Sequence, residues 1–425
     1  MSIEIISVIV LFVSFFALLA YGVPVAYSIG MSTLLTLLLN IAFLPAITTA
    51  CQRMTTGIDN FALLAIPFFV LAGELMNRGG IAQRLIDFAK SLIGSLPGGL
   101  AFVNIISAML FGAISGSAIA AASAIGSTLT DKMETEGYPR EFSAAVNISS
   151  STTGLLIPPS NVLIIFALAS GGTASVAALF IAGYVPGILV GLALMFMVFI
   201  YAKKKKLPRA KRAGFKKLFI DFKNAFLSLT LLIIVVGGIV AGIFTATEAA
   251  AIAVVYAALL GFINKELKFS DFRPVLLKSA KTTAIVMFLI ATSMVMSWLF
   301  SFEGIPQMMT DTILDNVSNP IVIFLIINIV LLIVGTFMDM TPAVLIFTPI
   351  FLPVAMTLGM HPVQFGMVIV LNLCIGICTP PVGTLLFVGS GVAEVPVTKV
   401  IRPLLSLLGA MTVVLFLSLI HISEP

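Results

Sequence analysis

The stretch NISSSTTGLLIPPSN, residues 147–161, decides the fold. It places five consecutive hydroxyl side chains, Ser149 to Thr153, and the Pro158-Pro159 pair inside residues 142–168, a segment otherwise apolar and long enough to cross a bilayer. Proline removes a backbone donor and clashes with the preceding turn, so one regular helix does not run through this segment. Backbone groups freed in mid-membrane are tolerated only where protein or a water-filled cavity receives them. The break is therefore a candidate binding site.

Residues 372–384, NLCIGICTPPVGT, repeat the pattern, with Gly376 and Pro380-Pro381 standing 222 residues after Gly154 and Pro158-Pro159. Gly112 and Gly335 are 223 apart, as are Tyr138-Pro139 and His361-Pro362, and Gly80-Ile81 and Gly304-Ile305 are 224 apart. Two broken apolar segments at corresponding positions of two halves point to the binding site of a secondary transporter.

At 60% hydrophobic and 10% charged residues over 425 positions, with mean hydropathy +1.18, the composition excludes a soluble domain, which is about half apolar and about a quarter charged. The expectation is an all-α polytopic membrane protein. Its net charge of +5 reports membrane orientation rather than nucleic-acid binding. Cys51, Cys374 and Cys378 form neither a zinc pattern nor a disulfide framework and read as small apolar side chains. The first apolar run lacks a basic leader and continues into a second, which argues against a cleaved signal peptide.

In chain order, residues 1–202 read as a first repeat: spans at 4–21 and 24–44, a polar link at 51–60, a span at 61–77 and an amphipathic interfacial stretch at 78–90. A re-entrant hairpin follows at 98–131 with its tip at Ser115-Gly116-Ser117, each flank of about nine to fourteen residues being too short to cross. The broken span at 142–168 and a crossing at 175–200 complete the half. Residues 203–223 form a basic linker, and 224–425 replay the order: 225–243, 247–263, 283–302, a hairpin at 320–357 with its tip at GTFMDMTPA, a broken span at 363–389, and 403–420. Five crossings per half make the second repeat inverted relative to the first. With the linker cytoplasmic, the clusters at 78–90, 132–140, 265–281 and 399–402 fall on its side, leaving only Arg53 of the 23 Lys and Arg outside. Both termini then lie on the far side.

The hydroxyls and glycines at the tips and breaks have two readings. Small residues let helices pack closely. Alternatively, exposed carbonyls and hydroxyls coordinate a hard cation such as Na⁺ while a half-helix N-terminus faces an anion. Asp339, in the second tip, is either an intramembrane functional carboxylate or a helix cap. Glu248 follows Thr245 by three residues, the spacing of a capping box. Glu74, Glu303 and His361 receive no site assignment, and the 203–217 basic run reads as an orientation signal with anionic-lipid contact as a secondary possibility. The spans offer no HExxH, no Ser-His-Asp group and no Cys/His cluster, so an enzyme is not expected. A channel would need a continuous polar pathway rather than two polar points.

At GAISGSAIAAASAIGS, GYPREF, LLIPPSN, GIFTATEAA, GTFMDMTPA and GICTPPVGT, over nearly its whole length, the chain resembles the large membrane (M) subunit of the tripartite ATP-independent periplasmic (TRAP) transporters. The resemblance implies Na⁺-driven uptake of an organic acid across the bacterial inner membrane. It implies a soluble periplasmic substrate-binding (P) protein, a small membrane (Q) subunit and two or more Na⁺ ions. It also implies an elevator in which both hairpins and both broken helices move as one block; Leu85, on the amphipathic stretch linking the third span to the first hairpin, lies where a hinge for such a motion would have to work. The family's cation sites fall on Ser115, Ser117, Ser149, Ser150 and Gly154 in the first half, and on Gly335, Asp339, Gly376, Thr379 and Gly383 in the second. Substrate contacts are expected from Ser117, Ser151, Thr153, Pro158, Ser160, Asn161, Thr341 and Pro381. Ser160-Asn161 stands opposite Val382-Gly383, so the two halves are not chemically identical. C4-dicarboxylates, sialic acid and sugar acids are the substrate classes implied, with a sugar acid or sialate preferred. The rival reading is a single-component Na⁺/dicarboxylate symporter.

Overall fold

The computed structural model describes residues 3–208, 214–317 and 319–421, and every regular element among them is helical. Helices α1 (Ile3–Ala20) and α2 (Val25–Asn40) form the expected pair, divided before Pro24. The polar link expected at 51–60 is instead mostly helix: α3 covers Phe43–Ile58. Its Thr, Gln and Arg side chains look like a loop by polarity, but the run contains no breaker after Pro45 until Gly57, and helical spacing sorts them to one side. A 3-10 turn, Phe61–Leu64, leads into α4 (Ala65–Arg78).

Helix α5 (Ile81–Ile93) is the amphipathic stretch, and it buries Ile81, Ala82, Leu85, Ile86 and Ala89. It packs on α6 (Gly99–Ser115), which turns at Gly116 into α7 (Ala118–Thr135). These hairpin arms are 17 and 18 residues long, so the expected nine-to-fourteen-residue flanks were too short. Gly112 and the small residues around it stay helical; the helix breaks at Gly116, at φ +62°, and at the extended Ser117. The first broken span is α8 (Arg140–Ser151), the short α9 (Thr153–Leu156) and α10 (Asn161–Ala169), bent by 51° at the prolines. Helix α11 (Val176–Lys205) runs into the basic stretch and α12 (Phe215–Val240) begins within it. The 203–223 segment is therefore helical at both ends, while its residues 209–213 lie outside the described residues.

In the second half α13 (Ala246–Ile263) opens on the expected capping box: Thr245 N donates to Glu248 Oε2 at 2.8 Å, and Glu248 N to Thr245 Oγ1 at 3.3 Å. Helix α14 spans Phe269–Phe302, beginning well before the expected residue 283. Asp271 accepts from Lys268 N at 2.9 Å and starts the helix, so the basic stretch is carried into it despite Pro274. Helix α15 (Ile305–Asn316) occupies a stretch given no element by the sequence reading. The second hairpin is α16 (Pro320–Phe337) and α17 (Met340–Thr357), the second broken span α18 (Pro362–Gly376) and α19 (Thr384–Val392), and α20 (Val397–His421) closes the described chain. Among the described residues eight helices are long and apolar enough to cross a membrane, nine with the bent α8–α10 pair, and the protein is multi-pass.

Hairpins and breaks meet through paired glycines. A Cβ on Gly112 would stand 2.6 Å from Gly154 Cα, and one on Gly335 would stand 3.0 Å from Gly376 Cα, so each hairpin's first arm touches its own broken helix backbone to backbone. A buried polar pin accompanies each contact. Ser150 Oγ donates to Asn104 Oδ1 at 3.1 Å, and Asn372 Nδ2 to Asn328 Oδ1 at 2.7 Å. The broken helices also touch across the halves, with Cys374 and Cys378 fully buried against the carbonyls of Thr152 and Ile148.

Ion pairs tie the basic stretches to one another. Arg78 pairs with Asp271 at 3.2 Å, Arg84 with Glu266 at 2.8 Å, Lys278 with Glu74 at 2.9 Å and Lys90 with Glu136 at 3.5 Å. Arg140 joins α7 to the end of α19 through Asp131, Glu134 and the carbonyl of Ala393. Arg53, the one cation that the charge pattern sets apart, lies 5.2 Å over the Trp298 ring instead.

Candidate substrate and cation site

Both hairpin tips open onto one cavity of about 240 Å³. Ser115, Gly116 and Ser117 reach it from the first tip, Asp339, Met340 and Thr341 from the second. The first break contributes Asn161, at the start of α10, and the second contributes Thr384, at the start of α19. The remaining wall is built by α4, through Ile66, Val70, Gly73 and Glu74, and by α14, through Thr282 and Val286.

Local chemistry fixes how each tip presents its polar atoms. Ser117 is the N-cap of α7, and its Oγ accepts from Ala120 N at 3.3 Å. Ser115 Oγ makes only 3.5 Å contacts, to the carbonyls of Gly112 and Ser117. Asp339 occupies the N-cap position of α17 without a side-chain capping bond, and its Oδ1 accepts from Thr384 Oγ1 at 3.4 Å. Asn161 Oδ1 is buried with no hydrogen-bond partner. A buried acceptor left unpaired costs about 1–3 kcal/mol, which a bound donor or cation would relieve. No group of three or more His, Cys, Asp or Glu side chains is gathered among the described residues. The donors are instead hydroxyl, carbonyl and carboxylate oxygens, a set that suits a hard cation.

Of the residues expected to contact substrate, Ser117, Asn161 and Thr341 line the cavity, whereas Ser151, Thr153, Pro158, Ser160 and Pro381 do not. Of the expected cation ligands, Ser115, Ser117 and Asp339 line it. The hydroxyls of the first break are committed within their own segment. Ser149 donates to Ala145 O at 2.9 Å, Ser151 to Asn147 O and Thr153 to Ser150 O both at 2.6 Å, and Ser160 to Leu155 O at 2.6 Å. Ser150 is the pin to Asn104 already described. Such bonds to carbonyls three to five residues back let a hydroxyl enter an apolar interior without an outside partner. Gly154, Gly335 and Gly376 lie in the glycine contacts, Thr379 donates to Ile375 O at 2.7 Å, and Gly383 N donates to Thr336 O at 2.9 Å. None of these five lines the cavity; the glycines have only backbone atoms to offer, and the Thr379 hydroxyl is committed to Ile375.

Glu303 and His361 have partners of their own: Asn40 Nδ2 donates to Glu303 Oε1 at 2.6 Å, and Val363 N to His361 Nδ1 at 3.2 Å. Glu74, in contrast, is part of the cavity wall and was missed. The signal was present, since a carboxylate within an apolar span is costly to bury, the same argument that singled out Asp339.

An all-helical apolar bundle whose two hairpin tips enclose a polar cavity is the architecture of a multi-pass membrane permease. Residues 12–423 match the family described as the tripartite ATP-independent periplasmic transporter, DctM component, and the chain belongs to that family. It is 51% identical over 408 residues to the protein YgiK of Salmonella typhimurium, covering 96% of this chain and 94% of that one. It is 41% identical over 404 residues to the C4-dicarboxylate TRAP transporter large permease protein DctM of Pseudomonas aeruginosa, covering 94% and 93%. The fold is similar to the crystal structure of the Alcanivorax borkumensis YdaH transporter, with TM-score 0.63 and 16% identity over 91% of each chain.

Proposed function

We propose that this protein is the large membrane subunit of a Na⁺-coupled system that takes up an organic acid across the bacterial inner membrane. A periplasmic substrate-binding protein delivers the acid, and a small membrane subunit completes the complex. The observation that carries this reading is the cavity in which both hairpin tips and both breaks converge against α4 and α14. Its oxygen donors suit Na⁺, two or more ions being held by the tips together with carbonyls of the glycine-rich breaks. Family membership supports the partners, and the Pseudomonas relative's C4-dicarboxylate supports the substrate class, with sugar acids and sialate as further candidates.

The two halves form inverted repeats with both termini periplasmic, and the hairpins and broken helices move as one block. Supporting this are the matched glycine contacts and polar pins in each half, and the ion pairs that join the basic stretches. Leu85, fully buried on α5, lies on the link between α4 and the first hairpin, where the block must pivot. Uptake into proteoliposomes containing both membrane subunits tests the reading. It requires Na⁺ and the binding protein together; uptake independent of the binding protein would favour a single-component symporter, and uptake indifferent to Na⁺ would remove the coupling.

A further inference from the structure

The wall formed by α4 and α14 is apolar except at one place. Four-residue spacing puts Lys278, Thr282 and Val286 on one face of α14, and the last two line the cavity, so Lys278 stands one turn beyond it at the rim. There its Nζ lies 2.9 Å from Oε1 of Glu74, itself a lining residue. The two partners differ in exposure: the Glu74 side chain is 19% exposed and that of Lys278 62%. The carboxylate is set in the wall, while the ammonium stands largely in the open on a flexible stem.

Charge makes the pair more pointed. Among the described residues the charged ones lining the cavity are Asp339 and Glu74, both acidic, and no Lys or Arg lines it. An entering anion therefore meets two carboxylates. Cations bound at the tips would offset Asp339; Lys278 is the cation held at Glu74. An ammonium has three donors and one salt-bridge contact to Glu74 leaves others free.

Resting on the reading that this cavity takes an organic acid, we propose that Lys278 is a substrate-contacting residue that binds the acid's anionic group, and that Glu74 is the positioning residue that holds its ammonium at the rim. The contact is charge-assisted, and its loss weakens binding by about tenfold.

The test is thermal stabilisation of the purified membrane complex in Na⁺ by two probes, succinate and N-acetylneuraminate, read as the half-stabilising concentration. For whichever probe stabilises the wild type, Lys278→Gln raises this concentration about tenfold and Lys278→Arg restores it. The double variant Glu74→Gln/Lys278→Gln, which leaves no unpaired charge in the wall, stays shifted like Lys278→Gln. Recovery of the wild-type concentration in the double variant would make the pair a strut and overturn the proposal, as would an unshifted Lys278→Gln. Absence of stabilisation of the wild type by either probe would instead strike the organic-acid reading on which the proposal rests.

Discussion

At the first tip Gly116 approaches Asn161, a Cβ on the glycine standing 3.4 Å from Asn161 Nδ2; at the second, Asp339 accepts a 3.4 Å hydrogen bond from Thr384 Oγ1. Gly116 lies four residues after Gly112 and Asp339 four after Gly335, so the two tips correspond. Asn161 lies seven residues after Gly154, and Gly383, just before Thr384, seven after Gly376. Each half thus brings a tip against the start of its second half-helix, but the larger polar side chain sits on opposite members. In the first half the break supplies a neutral amide to a bare tip. In the second the tip supplies a carboxylate to a bare break. Repetition fixes where polar groups arrive in the cavity and leaves their charge free.

The largest break in this comparison is expected from Asp339→Ala. The carboxylate makes no capping bond, so its removal costs little folding stability while taking the one formal charge from the two tips. Uptake should require about tenfold or more Na⁺ for half-maximal rate, with the melting temperature close to wild type. Unchanged Na⁺ dependence would return Asp339 to a structural role.

Next in size is the effect of filling the glycine contacts. Gly112→Ala places a Cβ 2.6 Å from the Gly154 backbone, and Gly335→Ala one 3.0 Å from that of Gly376. Backbone cannot rotate away as a side chain can, and overpacking of this kind costs about 1–3 kcal/mol. Both variants should melt below wild type in detergent, Gly112→Ala lower. The reverse order would mean that the first half yields more readily than its contacts suggest.

Thr384→Val should have the smallest effect, because a 3.4 Å bond to Asp339 is weak and the replacement keeps the side chain's volume. Na⁺ affinity is expected to fall about twofold to threefold, well short of Asp339→Ala. Equal losses in the two variants would show that Thr384 orients the carboxylate rather than merely touching it.

The hairpin tips and breaks were legible because Gly116, Asp339 and the proline pairs are local interruptions of long apolar runs. The capping box at Thr245 and Glu248 was legible for the same reason, being a contact between near neighbours in the chain. Helix α3 was not, since polarity without Gly or Pro resembles a link until its apolar side has something to pack on. Nor was the fate of the hydroxyls Ser149 to Thr153, which the sequence turns toward a ligand and the fold turns back on their own carbonyls. Whether a hydroxyl is free depends on the helix continuing beneath it, and Asn104, the partner of Ser150, is 46 residues away. Glu74 was legible only in part: a carboxylate in an apolar span marks it locally, but its place in the cavity wall follows from the approach of α14.

The central claim, that tips from both halves meet around one Na⁺-binding cavity, is tested most directly by thiol labelling at each tip. Cys51 is exposed and Cys374 and Cys378 are buried, so a Cys51→Ser background leaves Ser117→Cys or Thr341→Cys as the accessible thiol. Replacing K⁺ by Na⁺ should slow labelling at both positions over the same range of concentration. Slowing at one tip alone, or at neither, would contradict a shared cavity.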